Sequence, residues 1–258
     1  MALKTYSKFY YGWVISKDNF YFNFKEGAGP ELTAKIKIGS YSSSALANQI
    51  KLSLDAAGAL TYTVSFNRTT RKFTISTTSA FTILGLTGSN VEQSCLSLLG
   101  YNLVDTSSAN SHVGNNVSGF EYAPQFKLQS YISTEHLRRA SDSSLNVSTS
   151  GKIEFVSFGT EKRMECDLMF ITDIFQSGAI RNDPSGVTNY LNFIRFATTK
   201  APIEFMESES AVDTYEVFVL ESTEEDKNGT GYRLIEEYGK GLAGYFRSGK
   251  LVFFKITE

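Results

Sequence analysis

The 258 residues include 41% hydrophobic and 20% charged side chains, and 25 Lys+Arg against 27 Asp+Glu leave a formal net charge of -2. Such a chain is long enough for one large domain or two modest ones, and it lacks the basic excess that direct binding to nucleic-acid phosphates requires. No run approaches the ~18 apolar residues of a membrane span, and Met1-Ala-Leu-Lys-Thr-Tyr has no signal-peptide core.

Phe9-Tyr-Tyr-Gly-Trp-Val-Ile15 and Phe20-Tyr-Phe-Asn-Phe24 are dense in aromatics. Lys17-Asp18 between them reads as a tight turn, so an N-terminal hairpin is expected. Gly27-Ala-Gly-Pro30 is a second turn, and in the strand after it Leu32, Ala34, Ile36 and Ile38 share one face because side chains alternate. Ser42, Ser43 and Ser44 offer N-cap hydroxyls, and Leu46, Ile50 and Leu54 then recur at helical spacing, which predicts a helix near 43–56 stopped by Gly58. Tyr62, Val64 and Phe66 alternate, as do Phe73 and Ile75, around the turn Asn67-Arg-Thr-Thr-Arg71. Arg68, Arg71 and Lys72 at that turn read as solvated charges. Residues 90–99 suit a short helix ended by Gly100, and residues 105–119 form a long Ser/Asn/Gly-rich surface loop.

A second stretch of this kind, residues 140–151, reads as a domain boundary. Beyond it 153–158 and 164–171 are expected as strands. Val187, Tyr190, Leu191 and Ile194 predict a helix near 186–198, and Pro202 ends that region. Tyr215, Val217 and Val219 alternate in another strand, 232–238 return, and 251–256 close the fold. The expected fold is α+β and strand-dominated, with two β-rich domains that each carry one main helix. The N-terminal domain covers 1–140 with its helix near 43–56. The C-terminal domain covers 151–258 with its helix near 186–198, and the linker is about 140–151.

Catalytic chemistry is hard to find in this pattern. His112 and His136 have no partner motif and read as solvated loop residues. Cys95 and Cys166 fit no metal or disulfide spacing and read as buried thiols of a protein made in a reducing cytoplasm. Glu204, Glu207 and Glu209 after Pro202 read as a solvated acidic segment rather than a glycosidase pair. Asp226, Asn228, Thr230, Gly231 and Glu237 match a calcium-loop template, but the flanks have strand periodicity and Asn228-Gly229 is a good hairpin turn. No catalytic residue, cofactor or metal is therefore expected, and the chain is not expected to be an enzyme. The 20 Phe and 14 Tyr exceed what one small core needs. That excess marks Tyr10, Tyr11 and Trp13 as candidate residues of a subunit interface, the other reading being that they fill the sheet core.

Over residues 20–101, Leu32-Thr-Ala…Gly39, Tyr41, Leu46-Ala47…Ile50, Tyr62-Thr-Val-Ser-Phe-Asn67, Lys72-Phe-Thr-Ile-Ser76 and Leu98-Leu-Gly-Tyr101 together resemble bacteriophage virion proteins of the tail, tail tip and neck. The second half, through Glu154-Phe…Phe158-Gly…Met164, is compatible with a distal-tail-type β-domain. The resemblance implies a structural subunit that assembles with copies of itself into a ring, contacts other virion proteins, and is carried in the virion after assembly in the host cytoplasm. No membrane and no direct nucleic-acid partner is expected. The alternative is a receptor- or glycan-binding tail-tip module, for which the Ser/Asn/Gly loop with Tyr101, Tyr122 and Tyr131 nearby would supply stacking and hydrogen bonds.

Overall fold

The computed structural model describes residues 7–124, 132–137, 144–147, 153–156, 160–171, 186–206, 215–223, 236–239 and 241–256. Within them the fold is strand-dominated α+β, with two α-helices, α1 (Ser43–Ala57) and α2 (Tyr190–Ala197). Two sheets carry the architecture. A five-stranded sheet runs Glu31–Lys35, Tyr21–Glu26, Lys72–Ile83, Tyr62–Asn67, with Ala109–Val113 added along Lys72–Ile83. A seven-stranded sheet runs Ile132–Leu137, Thr160–Asp167, Lys250–Lys255, Tyr215–Thr223, Ile203–Met206, Lys8–Tyr11, Phe120–Tyr122.

Helix α1 forms where its caps and stripe predict. The Ser42 hydroxyl accepts from Ala45 N at 3.1 Å, and the Gly58 amide donates to Leu54 O, so orphan groups at both ends are satisfied. Leu46, Ile50 and Leu54 are fully buried and pack with Phe22, Phe24, Tyr62 and Phe73 in the first core. The hairpin Tyr62–Asn67 to Lys72–Ile83 and the turn Gly27–Pro30 between Tyr21–Glu26 and Glu31–Lys35 are also as expected. Helix α2 lays Tyr190, Phe193, Ile194 and Ala197 on one face of the seven-stranded sheet and builds the second core with Phe9, Tyr122, Phe205, Phe218 and Phe253.

Several local expectations give way to long-range pairing. The N-terminal hairpin does not form. Trp13–Ile15 pairs instead with Gly39–Tyr41, and Tyr21–Glu26 pairs with Glu31–Lys35 and the far end of Lys72–Ile83. The strand after Pro30 ends at Lys35, so Ala34 and Ile36 are buried while Ile38 is half exposed. Residues 90–99 hold only a 3-10 turn at Val91–Gln93. The Ser/Asn/Gly stretch is not all loop, since Ala109–Val113 is a strand. In Tyr215–Thr223 it is Phe218 and Leu220 that are buried, the face opposite to Val217 and Val219.

The expected division into 1–140 and 151–258 is crossed by the chain. Lys8–Tyr11 and Phe120–Tyr122 belong to the seven-stranded sheet, and Phe9, Tyr11 and Tyr122 belong to the second core. Within the expected linker, Ser144–Val147 pairs with Ile153–Val156, and the rest of 140–151 lies outside the described residues. Most of the strand expected at 232–238, and the candidate calcium loop up to Gly231, also lie outside them. Glu237 is described, and its Oε1 accepts from Gly244 N at 2.9 Å.

Carboxylates brace the loops of the first half. Glu26 accepts from Ala59 N, Leu60 N and the Tyr62 hydroxyl, each at 3.0 Å. Burial alone would raise its carboxyl, but the bonds from Leu60, Ala59 and Tyr62 outweigh burial and hold it below its ordinary 4.5. Asp105 is held below its ordinary 3.8 first by the Thr87 hydroxyl, against burial, and further by the amides of Leu86 and Thr87. A folded-state pKa below the unfolded one stabilises the fold at pH above the unfolded value, and that contribution is lost as pH falls through the folded value. The urea midpoint should therefore be level near neutral pH and drop from 4.5 downward. Glu26→Gln should lower the neutral midpoint and flatten the acid limb. An unchanged acid limb in that variant would contradict the assignment.

Candidate functional site

Among the described residues, several buried and half-buried ionisable side chains gather where the seven-stranded sheet meets the first core. In strand Lys8–Tyr11, Phe9 and Tyr11 point to the second core and Tyr10 to the first, as alternation requires. Tyr10 is in register with Glu204 on one neighbouring strand and with Glu121 on the other. Cross-strand partners share a face, so Glu121, Tyr10 and Glu204 form a row across three strands.

Glu204 is 1% exposed. Its Oε1 accepts from both the amide and the hydroxyl of Ser43 at 2.6 Å, so a carboxylate from the second half sits on the first turn of α1. There it meets the unsatisfied amides and the positive end of the helix dipole. Its Oε2 lies 3.7 Å from Arg68 Nε, too long for a hydrogen bond but close enough for charge attraction. The Arg68 guanidinium lies over the Tyr215 ring, 4.4 Å from its centroid. Glu121 draws Lys8 Nζ to 3.3 Å and Arg71 Nε to 3.9 Å, and Arg71 Nη1 reaches Gly186 O at 3.5 Å. Burial, then the Glu121 carboxylate and the neighbouring Tyr215, push the Tyr10 hydroxyl well above the ordinary tyrosine range.

Next to this seam, α1 and Tyr62–Asn67 enclose an open groove of about 250 Å³. Ala47, Asn48 and Lys51 line it from the helix and Val64, Ser65 and Phe66 from the strand, with Arg68 standing at the junction of groove and seam. Lys51 Nζ is bound to Asp55 Oδ2 at 2.7 Å, the next turn of the same helix.

Tyr10, Tyr11 and Trp13 are not on the surface. They are 6%, 3% and 1% exposed within a single chain, so the reading that they fill the sheet core describes them. The Tyr11 hydroxyl bonds Thr188 Oγ1 at 2.6 Å. The Trp13 indole donates to Ser118 Oγ at 3.0 Å and abuts Gly119, where a Cβ would come within 2.7 Å of the ring and the φ of +72° already favours glycine.

Two other residues expected to be solvated, His112 and Arg71, are also inside. His112 is 8% exposed, with Nε2 3.0 Å from Phe81 O and its ring edge-on to Phe81. Arg71 is 8% exposed, and Lys72 Nζ donates to Asn115 O at 2.7 Å. Tyr101 and Tyr122, offered for glycan stacking, are buried, and the Tyr101 hydroxyl donates to His112 O at 2.9 Å. Cys95 and Cys166 are buried free thiols, each pushed up to about 12 by burial. Glu207, Glu209 and Tyr131 lie outside the described residues, as do the side-chain surroundings of His136.

Sequence reasoning missed Glu204 as a buried group. The available signal is its setting in Ile203-Glu-Phe-Met206, where one carboxylate interrupts an apolar strand. Enclosed this way, the row of carboxylates acts as a clamp between two cores. Among the described residues there is no group of three or more His, Cys, Asp or Glu placed to hold a metal, and no helix long and apolar enough to cross a membrane. No protein-family model matches this chain, and no curated protein matches it.

Proposed function

We propose that this chain is a structural subunit of a bacteriophage virion, placed in the tail, tail tip or neck, and that it assembles with copies of itself into a symmetric ring. The virion part rests on the resemblance over residues 20–101. The assembly part is carried by one observation: among the described residues, one edge strand of the seven-stranded sheet has a further segment beside it and the other has none. At the Phe120–Tyr122 edge, Gly186–Thr188 runs alongside, with Glu121 N bonded to Gly186 O at 2.7 Å and Thr188 N to Glu121 O at 2.8 Å. At the other edge, Ile132–Leu137 pairs only with Thr160–Asp167 among the described residues. A strand edge with unpaired amides and carbonyls is a template for another strand.

Glu31–Lys35, at the edge of the five-stranded sheet, is the complementary partner on a second copy. Pairing two different edges gives a head-to-tail contact, and repeating that contact closes a ring. The buried aromatics lend no support here, because the chain's own cores use them.

Amides alternate in direction along a strand, so one of Ser133→Pro and Thr134→Pro removes an outward N–H and leaves the internal ladder intact. That variant should stay folded by circular dichroism and lose assembly by sedimentation and negative-stain imaging. Assembly unchanged in both variants would refute edge pairing. A single copy in the finished particle, without symmetric neighbours, would refute the ring.

A further inference from the structure

We propose that the groove between α1 and Tyr62–Asn67 binds an acidic sugar unit, a saccharide ring bearing a carboxylate, with Arg68 as its carboxylate clasp. This stands apart from the ring reading and does not depend on it.

Arg68 distinguishes the groove from an ordinary surface crevice. Its guanidinium is fixed from two sides, by the Tyr215 ring at 4.4 Å and by Glu204 at 3.7 Å. Yet it donates no hydrogen bond to a described residue, and its Nε is buried without an acceptor. A guanidinium held in place with its planar fork of donors unused is preorganised for a planar oxyanion, which it binds through two parallel N–H···O bonds. Its side chain remains 30% exposed, so a ligand in the groove can reach it.

The rest of the lining selects the ligand class. Asn48 and Ser65 are exposed, and their side chains bond no described residue, which leaves an amide and a hydroxyl for sugar hydroxyls. Ala47, Val64 and Phe66 give an apolar wall for the carbon face of a ring. The volume of about 250 Å³ suits one sugar unit rather than a chain of them. Lys51 adds a second positive charge in the same groove, offset by Asp55.

The test is an NMR titration of the full chain with glucuronate and N-acetylneuraminate, alongside glucose and the methyl ester of glucuronate. The acids should shift amides of α1 and Tyr62–Asn67, and the neutral sugars should bind at least about tenfold more weakly. Arg68→Lys keeps the charge beside Glu204 but loses the fork, and should weaken acid binding by about tenfold in a chain that stays folded by circular dichroism. Asn48→Leu fills the groove without changing charge and should do the same. The proposal fails if the ester binds as well as the acid, if both variants bind like the parent, or if no groove amide moves. It also fails if an Asp/Glu-rich peptide shifts these amides while the sugars do not, since the groove would then be a protein contact.

Discussion

Removing residues 1–16 should abolish folding. The deleted strand lies inside the seven-stranded sheet, between Ile203–Met206 and Phe120–Tyr122, so its loss strips both neighbours of their ladder partner. It also empties both cores. Phe9 is fully buried, with ring centroids of Phe193 at 4.7 Å, Phe205 at 5.1 Å, Phe253 at 6.1 Å and Tyr122 at 6.3 Å. Tyr10, Trp13 and Ile15 leave the first core at the same time. Phe9→Ala alone should cost about 3–5 kcal/mol, a large share of the roughly 5–15 kcal/mol that holds a domain folded. Circular dichroism and a urea titration of both proteins give the answer. A cooperative, smaller folded species from the deletion would mean that the strand is an appendage.

The second large effect is expected at Glu204. Glu204→Ala leaves two buried Ser43 donors without their acceptor and removes a negative charge beside Arg68. Each buried donor left without an acceptor costs about 1–3 kcal/mol, while Arg68, 30% exposed, keeps access to water. Glu204→Gln keeps the shape and one acceptor oxygen and should lose less. In a cycle with Ser43→Ala the two changes should couple by about 1 kcal/mol or more, because they break one bonded unit. A loss for Glu204→Ala within about 0.5 kcal/mol, the range of ordinary surface positions, would place this carboxylate in water instead of at the seam.

What the sequence makes legible here is local. Helix α1 shows through its serine cap, its Leu46-Ile50-Leu54 stripe and Gly58. The hairpin at Asn67–Arg71 shows through alternation on both arms. These features depend on residues a few positions apart, where period and cap chemistry act directly. The N-terminal hairpin misleads because two aromatic runs beside a turn look like partners, while the partners of Trp13–Ile15 and Lys8–Tyr11 lie at Gly39–Tyr41 and at Ile203–Met206. No local period encodes such distant pairing.

The seam is less legible still. Glu204, Arg71 and His112 are polar residue types that usually face water, and only tertiary neighbours turn them inward. Glu121 and Glu204 gain their common face from Tyr10, which separates them in space as it does in the sheet. The groove beside them needs α1, the turn at Arg68 and Tyr215 to be assembled before it exists.

The position of Lys8–Tyr11 also sets an order of events during synthesis. This strand leaves the ribosome well before Tyr215–Thr223 and Lys250–Lys255, which complete its sheet. Among the described residues the ladders of the five-stranded sheet end at Val113, so most of that half can pair while translation continues, with Met206 and Glu204 joining it later. Phe9 and Tyr11 must wait with their aromatic faces uncovered until those later strands arrive, and contacts between segments so distant in sequence form slowly. The nascent protein thus presents a sticky aromatic ribbon until those strands emerge, the sort of segment that chaperones hold.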